Sequence, residues 1–378
     1  MDSSDSDSLI GPLRVTKVAH GGHWVARTED GRVVFLRGAL EGELVRARIT
    51  ATAKRHAFAD VMEVLEASPD RVLTPCGIAD RCGGCDFQHV RPAAQLELKR
   101  QVVAEQLGRL AGLAWTGQVE AVPPVERWRT RVRYHFDGEA WGMHPARSHA
   151  VTPLPEAGCL IAAEELLAPP VSASAGGSIV GVASADGVRW SSNETNDTVL
   201  EEAAGRTWRV AADGFWQVHP AAADTLVDAV LTGLAPRAGE SAFDLYCGVG
   251  LFAGALVDRG VSVVGVEGSK TAVGHARTNV PEASFLAGSV DKALRRLPRA
   301  VDLVVVDPPR VGAGASVLGE ILGRRPRAVA YVACDPASLA RDLGLALAAG
   351  WRVDSLRAFD LFPMTHHVEC VAILQPDD

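Results

Sequence analysis

The sequence predicts an α/β chain whose C-terminal half is a doubly wound sheet, preceded by a small all-β unit and a middle α+β unit built around clustered cysteines. Three observations predict it. From about residue 206 onward, apolar strands alternate with helical stretches, and strand after strand ends on a polar residue. Between Leu13 and Leu65, short β-branched runs recur every ten residues or so with glycine turns between them. Finally, Cys76, Cys82 and Cys85 fall within ten residues of one another, with Cys159 far downstream.

In the first unit, drawn over 1–67, the strand-like runs are Val15–Val18, His23–Ala26, Val33–Leu36 and Leu44–Ile49. Gly21-Gly22, Asp30-Gly31 and Glu41-Gly42 punctuate them as turns. That spacing fits a five-stranded barrel, an architecture that often binds oligonucleotides across one face. A purely structural barrel is the alternative. Residues 1–8, Met1 followed by Asp and Ser, are expected to be disordered.

The middle unit is drawn over 68–204. Gly77, Gly83 and Gly84 separate its first three cysteines and let the backbone approach a metal centre closely. A lone fourth ligand, Cys159, separated from Cys85 by 73 residues, is commoner in iron–sulfur sites than in zinc sites, which tend to use paired two-cysteine knuckles. A 4Fe-4S cluster on Cys76, Cys82, Cys85 and Cys159 is therefore expected, with zinc as the alternative. Pro92 to Leu113 has helical periodicity, with Leu96, Val103, Leu107 and Leu110 on one face. Glu126 to Phe136 reads as a strand with Arg127, Arg129, Arg131 and Arg133 on one face and Trp128, Val132 and Tyr134 nearer the other. Arginines suit phosphates and aromatics stack on unpaired bases; an exposed amphipathic strand is the plain alternative. Residues 170–200 read as hairpins without visible chemistry.

The third unit, 205–378, carries Asp244-Leu245-Tyr246-Cys247-Gly248-Val249-Gly250 at a strand-to-helix turn. About 20 residues on, Glu267 ends the next strand, where a carboxylate accepts hydrogen bonds from ribose hydroxyls. The pair fits S-adenosylmethionine as well as a dinucleotide, but Phe252-Ala253 breaks the full Gly-x-Gly-x-x-Gly form. Asp307-Pro308-Pro309-Arg310 sets a further acidic turn beside the cofactor.

Cys334 stands where the apolar run Tyr331-Val332-Ala333 breaks into Asp335-Pro336, and Glu369 precedes the strand Val371 to Leu374. A thiol, a carboxylate and a methyl donor are what carbon-5 methylation of a pyrimidine needs. That ring carbon is too weak a nucleophile until a thiolate adds at carbon 6, and a base must later remove the carbon-5 proton. Cys247 and Cys370 read as inert packing, and Glu369 taken alone would read as a surface acid.

Composition bounds the setting. The net charge of −8 argues against a nucleic-acid partner until its distribution is considered. Residues 151–205 hold eight acids against Arg189, whereas 11–60 hold nine bases and five acids, and 91–133 eight bases and four acids. A local basic surface of that kind suits phosphates. No apolar run reaches the ~18 residues of a membrane span, and the start of the chain lacks the basic and apolar regions of a secretory signal. A cytoplasmic, monomeric protein without disulfides or membrane contact is expected.

Taken together, these motifs resemble the bacterial RNA uracil-5-methyltransferases, closest to the 23S ribosomal RNA branch with a TRAM domain and a 4Fe-4S cluster. The resemblance spans essentially the whole chain. It also rests on Gly214-Phe215-Trp216-Gln217-Val218, on Cys334-Asp335-Pro336 through Asp342, and on Phe362-Pro363 through Glu369. It implies a TRAM-like RNA-binding barrel, a Rossmann-like class I methyltransferase domain and S-adenosyl-L-methionine as cofactor. It further implies that Gln217, Tyr246, Glu267 and Asp307 line the methyl-donor pocket, with Cys334 the nucleophile and Glu369 the base. Its substrate expectation is 23S ribosomal RNA, with the transfer RNA T-loop next. His219 stands where the family often has Asn, Leu251 replaces a polar residue after the glycine loop, and Asp335 replaces a common Asn. A non-catalytic RNA-binding or chaperone protein, and a zinc-stabilised methyltransferase acting on protein or small molecules, are the rival classes.

Overall fold

The computed structural model describes residues 9–145, 148, 150–170, 176–192 and 197–377. The N-terminal stretch 1–8, expected to be disordered, lies outside the described residues, as do parts of the 170–200 hairpins.

Five strands, β1 (Leu9–Ala19), β2 (His23–Arg27), β3 (Val33–Arg37), β4 (Leu44–Thr52) and β5 (His56–Glu66), close into a barrel in the order β1-β2-β3-β5-β4. Strand alternation puts Trp24, Ala26, Val34, Leu36, Ala57 and Ala59 inside. The cysteine loop follows, then helix α1 (Pro92–Ala111), which starts on a proline and stops at Gly112 in the left-handed conformation.

From there the middle of the chain is shared between two sheets. Strand β6 (Val119–Ala121) leaves it to become the edge of the C-terminal sheet, and Val103 and Leu107 of α1 join that sheet's core. Strands β7 (Arg131–Phe136), β8 (Trp141–Met143), β9 (Thr152–Pro153), β10 (Ser178–Ser184) and β11 (Gly187–Ser191) form a separate antiparallel sheet in the order β11-β10-β7-β8-β9. Next comes the hairpin β12 (Thr198–Ala203) and β13 (Arg206–Ala211).

The C-terminal unit alternates α2 (Ala222–Leu234), β14 (Ser241–Leu245), α3 (Leu251–Val257), β15 (Ser262–Glu267), α4 (Lys270–Asn279), β16 (Ser284–Ala287), α5 (Val290–Leu294), β17 (Leu303–Val306), α6 (Gly314–Leu322), β18 (Ala328–Ala333) and α7 (Pro336–Ala348). It ends on the hairpin β19 (Trp351–Asp360) and β20 (Glu369–Pro376). The sheet order is β16-β15-β14-β17-β18-β20-β19-β6, with the first five strands parallel and β20 antiparallel to β18. Helices cover both faces. One layer packs α2, α3 and α4 on residues such as Leu303, Val305, Val332 and Val371; the other packs α1, α5, α6 and α7 on Val304, Val306, Tyr331 and Cys370. The order of strands reverses between β14 and β17, which opens a crevice at their C-terminal ends.

The expected arginine face is not an open one. The strand begins at Arg131, and Arg127 takes a positive φ before it. Arg131 is buried, ion-paired to Glu201 at 2.8 Å, and donates to the carbonyls of Ala212 and Gly214. Arg127 donates to the Cys159 carbonyl. Of the other bases in 91–133, Arg91 pairs with Asp70, Lys99 with Asp360 and Arg100 with Glu97. Much of this stretch is therefore committed to holding the chain together. A desolvated arginine needs an internal partner, and strand alternation alone does not reveal one.

Candidate active site

Strand alternation gathers the site. Counting along β14, β15, β17, β18 and β20, the residues Asp244, Glu267, Asp307, Cys334 and Glu369 all fall on the α2–α4 side of the sheet. Glu267, Asp307 and Cys334 lie at or just past a strand's C-terminal end, Asp244 one residue before one, and Glu369 starts β20. In the antiparallel pair β18–β20, Ala333 faces Cys370, so one further step sets Cys334 opposite Glu369.

The glycine turn shapes the upper edge. Tyr246 takes φ 63°, and Gly248 and Gly250 take 54° and 97°. At Gly250 a Cβ would press on Phe285 and Val280 at 3.3 Å, so both space and φ call for glycine. The Gly248 N–H donates to Glu267 Oε2 at 3.2 Å, and the Ser269 N–H donates to the other oxygen at 2.7 Å. The carboxylate is thus aimed at the turn. Sequence reasoning did not single out Asp244, a fully buried acid within the apolar strand Ala242 to Leu245. Its Oδ2 accepts from the Ala253 N–H at 2.9 Å, while its Oδ1 has no hydrogen-bond partner among the described residues. An orphaned buried oxygen beside Glu267 and Asp307 suits a cationic or N–H-bearing ligand. An acid inside an apolar strand was the available signal.

Burial dominates the electrostatics. It raises Asp244 and Asp307 to about 7 each, with Asp307 and Glu267 adding to the effect on Asp244. Glu369, 5% exposed, is pushed well above the carboxylate range by burial and then by Asp307, against the pull of Arg310. Cys334 rises to about 11 through burial and then Glu369, with Arg310 again opposing. Arg310 thus faces both groups, a role not assigned to it from sequence. Cys247 and Cys370 are buried, and burial pushes both thiols far up, as inert packing requires.

Gln217 sits in the loop after β13 that Arg131 holds through two carbonyls, with Phe215 beside it 77% exposed. His219 is buried, stacked on Trp128 and bonded to the Pro124 carbonyl. Leu251 packs in the core. Both departures at these positions are therefore accommodated as packing.

Cys76, Cys82, Cys85 and Cys159 line one pocket together with Arg129 and Met143. Burial raises Cys85 to about 12, and burial also raises Cys82; the neighbouring thiols add to both. The Gly84 N–H donates to Cys82 Sγ at 3.3 Å. Among the described residues no group of three or more His, Cys, Asp or Glu side chains stands ready to hold a metal ion. The pocket is braced against the Phe362–His366 loop, because the Asp86 and Phe87 N–H groups donate to the Met364 carbonyl and Asp86 pairs with His366.

Comparisons with known proteins agree with this layout. The TRAM domain profile matches residues 12–62, and that of tRNA (uracil-5-)-methyltransferase matches 294–376. An uncharacterized RNA methyltransferase of Streptomyces avermitilis is 44% identical, covering 96% of this chain and 98% of its own. One from Streptomyces coelicolor is also 44% identical, covering 99% and 95%, and one from Corynebacterium efficiens is 34% identical, covering 98% and 96%. Among solved structures, the Pyrococcus abyssi tRNA (uracil-54, C5)-methyltransferase in complex with S-adenosyl-L-homocysteine has a TM-score of 0.73 at 21% identity, covering 96% of this chain and 100% of that one. It has the same fold.

Proposed function

The chain belongs to the bacterial RNA methyltransferases that join a TRAM domain to a tRNA (uracil-5-)-methyltransferase domain, and from that membership we propose that it forms 5-methyluridine in RNA, with Cys334 as nucleophile and Glu369 as base. The observation that carries this reading is the placement of Cys334 opposite Glu369 beside Asp307 and Arg310. S-adenosylmethionine, when bound, supplies the methyl group; Asp244, Glu267 and Asp307, with Gln217 and Tyr246, are the residues to hold it. Cys334 sulfur bonds to carbon 6 of the uracil, which makes carbon 5 nucleophilic. After carbon 5 is methylated, Glu369 takes its proton, the ring double bond re-forms, and the carbon–sulfur bond breaks to return the thiolate. Arg310 favours the anionic forms of both groups.

We propose a 4Fe-4S cluster rather than zinc on the four cysteines, supported by their spacing in sequence and by their lining one pocket. A single zinc ion needs its ligands converged within about 2.3 Å of one point, whereas a cluster spreads its thiolates over separate irons. Cys76, Cys82, Cys85 and Cys159 would hold it, and its role would be to brace the Phe362–His366 loop rather than to move electrons. As substrate we favour 23S ribosomal RNA over the transfer RNA T-loop, because the sequence motifs most resemble the ribosomal branch; the likeness to a transfer RNA enzyme keeps the T-loop as the second reading. The test is in vitro methylation of unmodified 23S ribosomal RNA and transfer RNA with labelled S-adenosylmethionine, followed by mapping of 5-methyluridine. Label on neither RNA, or label on a base other than uracil, would overturn the reading.

A further inference from the structure

The tip of the first barrel hairpin reaches the nucleophile's own turn. His20 Nε2 lies 2.8 Å from Asp335 Oδ2, across 315 residues of sequence. The two carboxylate oxygens of Asp335 are divided: Oδ1 accepts from the Ser338 N–H at 2.7 Å and caps α7, while Oδ2 takes His20. The Ser338 hydroxyl returns a bond to the Asp335 carbonyl at 3.0 Å. The hairpin is seated as well as bonded. At Gly22, φ 75°, a Cβ would come within 3.1 Å of His366 and 3.2 Å of Asp86, so barrel, cysteine loop and Phe362–His366 loop meet at one point. The His20 and Asp335 side chains are 36% and 23% exposed, which leaves their interaction only partly screened.

We propose that His20 is a positioning residue of the methyltransferase site: it fixes Asp335 and thereby makes the RNA-binding barrel a working part of the turn that carries Cys334. This rests on the reading of Cys334 as nucleophile. The chemistry follows from position. Asp335 is the next residue after Cys334 and its negative charge opposes ionisation of the thiol, as do Glu369 and Asp307, while Arg310 favours it. Cys370, from β20, also faces this group, and His23 follows on the same hairpin as His20. Burial pushes Asp335 up, but the hydrogen bonds from His20 and Ser338 outweigh it and hold the carboxyl well below the usual carboxylate range. An asparagine at 335 would cap α7 without bringing a charge. An aspartate adds a charge beside the thiol, and the hydrogen bond from His20 fixes where that charge lies. Undocking the barrel would free Asp335 and loosen the turn that carries Cys334.

The test reads the thiol directly and needs no substrate. The intact protein is alkylated with iodoacetamide at pH 7.5, and the Cys334 peptide is quantified by mass spectrometry over time. His20→Ala should free the turn and speed alkylation of Cys334 severalfold. Asp335→Ala should do the same, and adding His20→Ala to Asp335→Ala should then produce no further change. His20→Asn, which keeps a side-chain donor, should restore most of the wild-type rate. An equal change from His20→Ala in both backgrounds, or none in either, would overturn the proposal. A second readout is adduct formation on 5-fluorouridine RNA, where His20→Ala should slow the rate severalfold at pH 7.5 without changing RNA affinity. Failure of the wild type to form that adduct would count against the assigned reaction, whereas the alkylation rates judge the role of His20 alone.

Discussion

Cys334 and Glu369 face one another across the β18–β20 ladder, one residue beyond the pair Ala333 and Cys370. The arrangement depends on β20 running antiparallel in an otherwise parallel stretch of sheet. A parallel final strand would have delivered its C-terminal end to this edge; the antiparallel one delivers its first residue. A buried acid thereby meets a thiol that comes from the C-terminal end of β18.

Replacing the two residues should give different failures. Cys334→Ala removes the adduct at carbon 6, so methyl transfer should vanish and no covalent species should form. Glu369→Gln leaves addition and methylation possible but stalls release, so a covalent enzyme–RNA species carrying the methyl label should accumulate on denaturing gels. Loss of a general base costs about a hundred- to ten-thousand-fold. Labelled adduct with Cys334→Ala, or wild-type turnover with Glu369→Gln, would reverse these assignments.

The parts of this site that obey local periodicity were legible in the sequence. The barrel strands, the 3.6-residue face of α1 and the polar ends of β15, β17 and β18 all follow from alternation and turn residues. What escaped were partners separated by long stretches of chain. Arg131 reads as part of an exposed stripe until Glu201, 70 residues away, is brought against it. β6 is three residues long, too short to carry a pattern, and only its register beside β19 reveals that it completes the sheet. His20 shows nothing in its neighbourhood to connect it with Asp335. Asp244 is a different case, because a lone acid in an apolar strand was visible and its orphaned oxygen explains it.

Arg131 should therefore behave as a structural residue. Removing one partner of a buried ion pair leaves the other charged and desolvated, a loss of about 3–5 kcal/mol. Arg131→Ala should lower the melting temperature and, through the released Ala212 and Gly214 carbonyls, loosen the loop that carries Gln217. Thermal melts and S-adenosylmethionine titration measure both effects. Arg133→Ala, at the exposed position of the same strand, should leave stability within about 0.5 kcal/mol. Equal melting temperatures for the two variants would contradict the assignment.

The cysteine pocket makes a spectroscopic prediction. If Cys76, Cys82, Cys85 and Cys159 ligate a 4Fe-4S cluster, anaerobically purified protein should be brown with absorbance near about 400 nm. Cys82→Ser should lose that band and most of its iron. Because Asp86 and Phe87 hold the Met364 carbonyl, the same variant should also lose protection from proteolysis in the Phe362–His366 loop. Full iron content in Cys82→Ser would remove the cluster from the account.

The buried acids of the cofactor crevice should give the ligand-free enzyme an inverted pH dependence of stability. Asp307 has a folded value of about 7 against an ordinary 3.8. The folded protein keeps this proton while the unfolded chain surrenders it, so the folded state binds more protons between those two values and stability must fall as pH rises through that window. Stability from this group is fully present below about 4 and is lost by about 7; Asp244 acts in the same direction. The total is on the order of a few kcal/mol, since a tenfold change in proton affinity corresponds to about 1.4 kcal/mol. Asp335 and Asp86 are lowered instead, and their contributions disappear only as pH falls through the acid range below 3.8. The two regimes therefore separate. Melting temperature of the ligand-free protein should decline from pH 5 to pH 7, and Asp307→Asn should flatten the decline and raise the melting temperature at pH 8. The same substitution should abolish S-adenosylmethionine binding, because the acid that destabilises the empty crevice is one assigned to hold the ligand. A variant equally pH-sensitive to the wild type, or one that still binds the methyl donor normally, would show that Asp307 does neither.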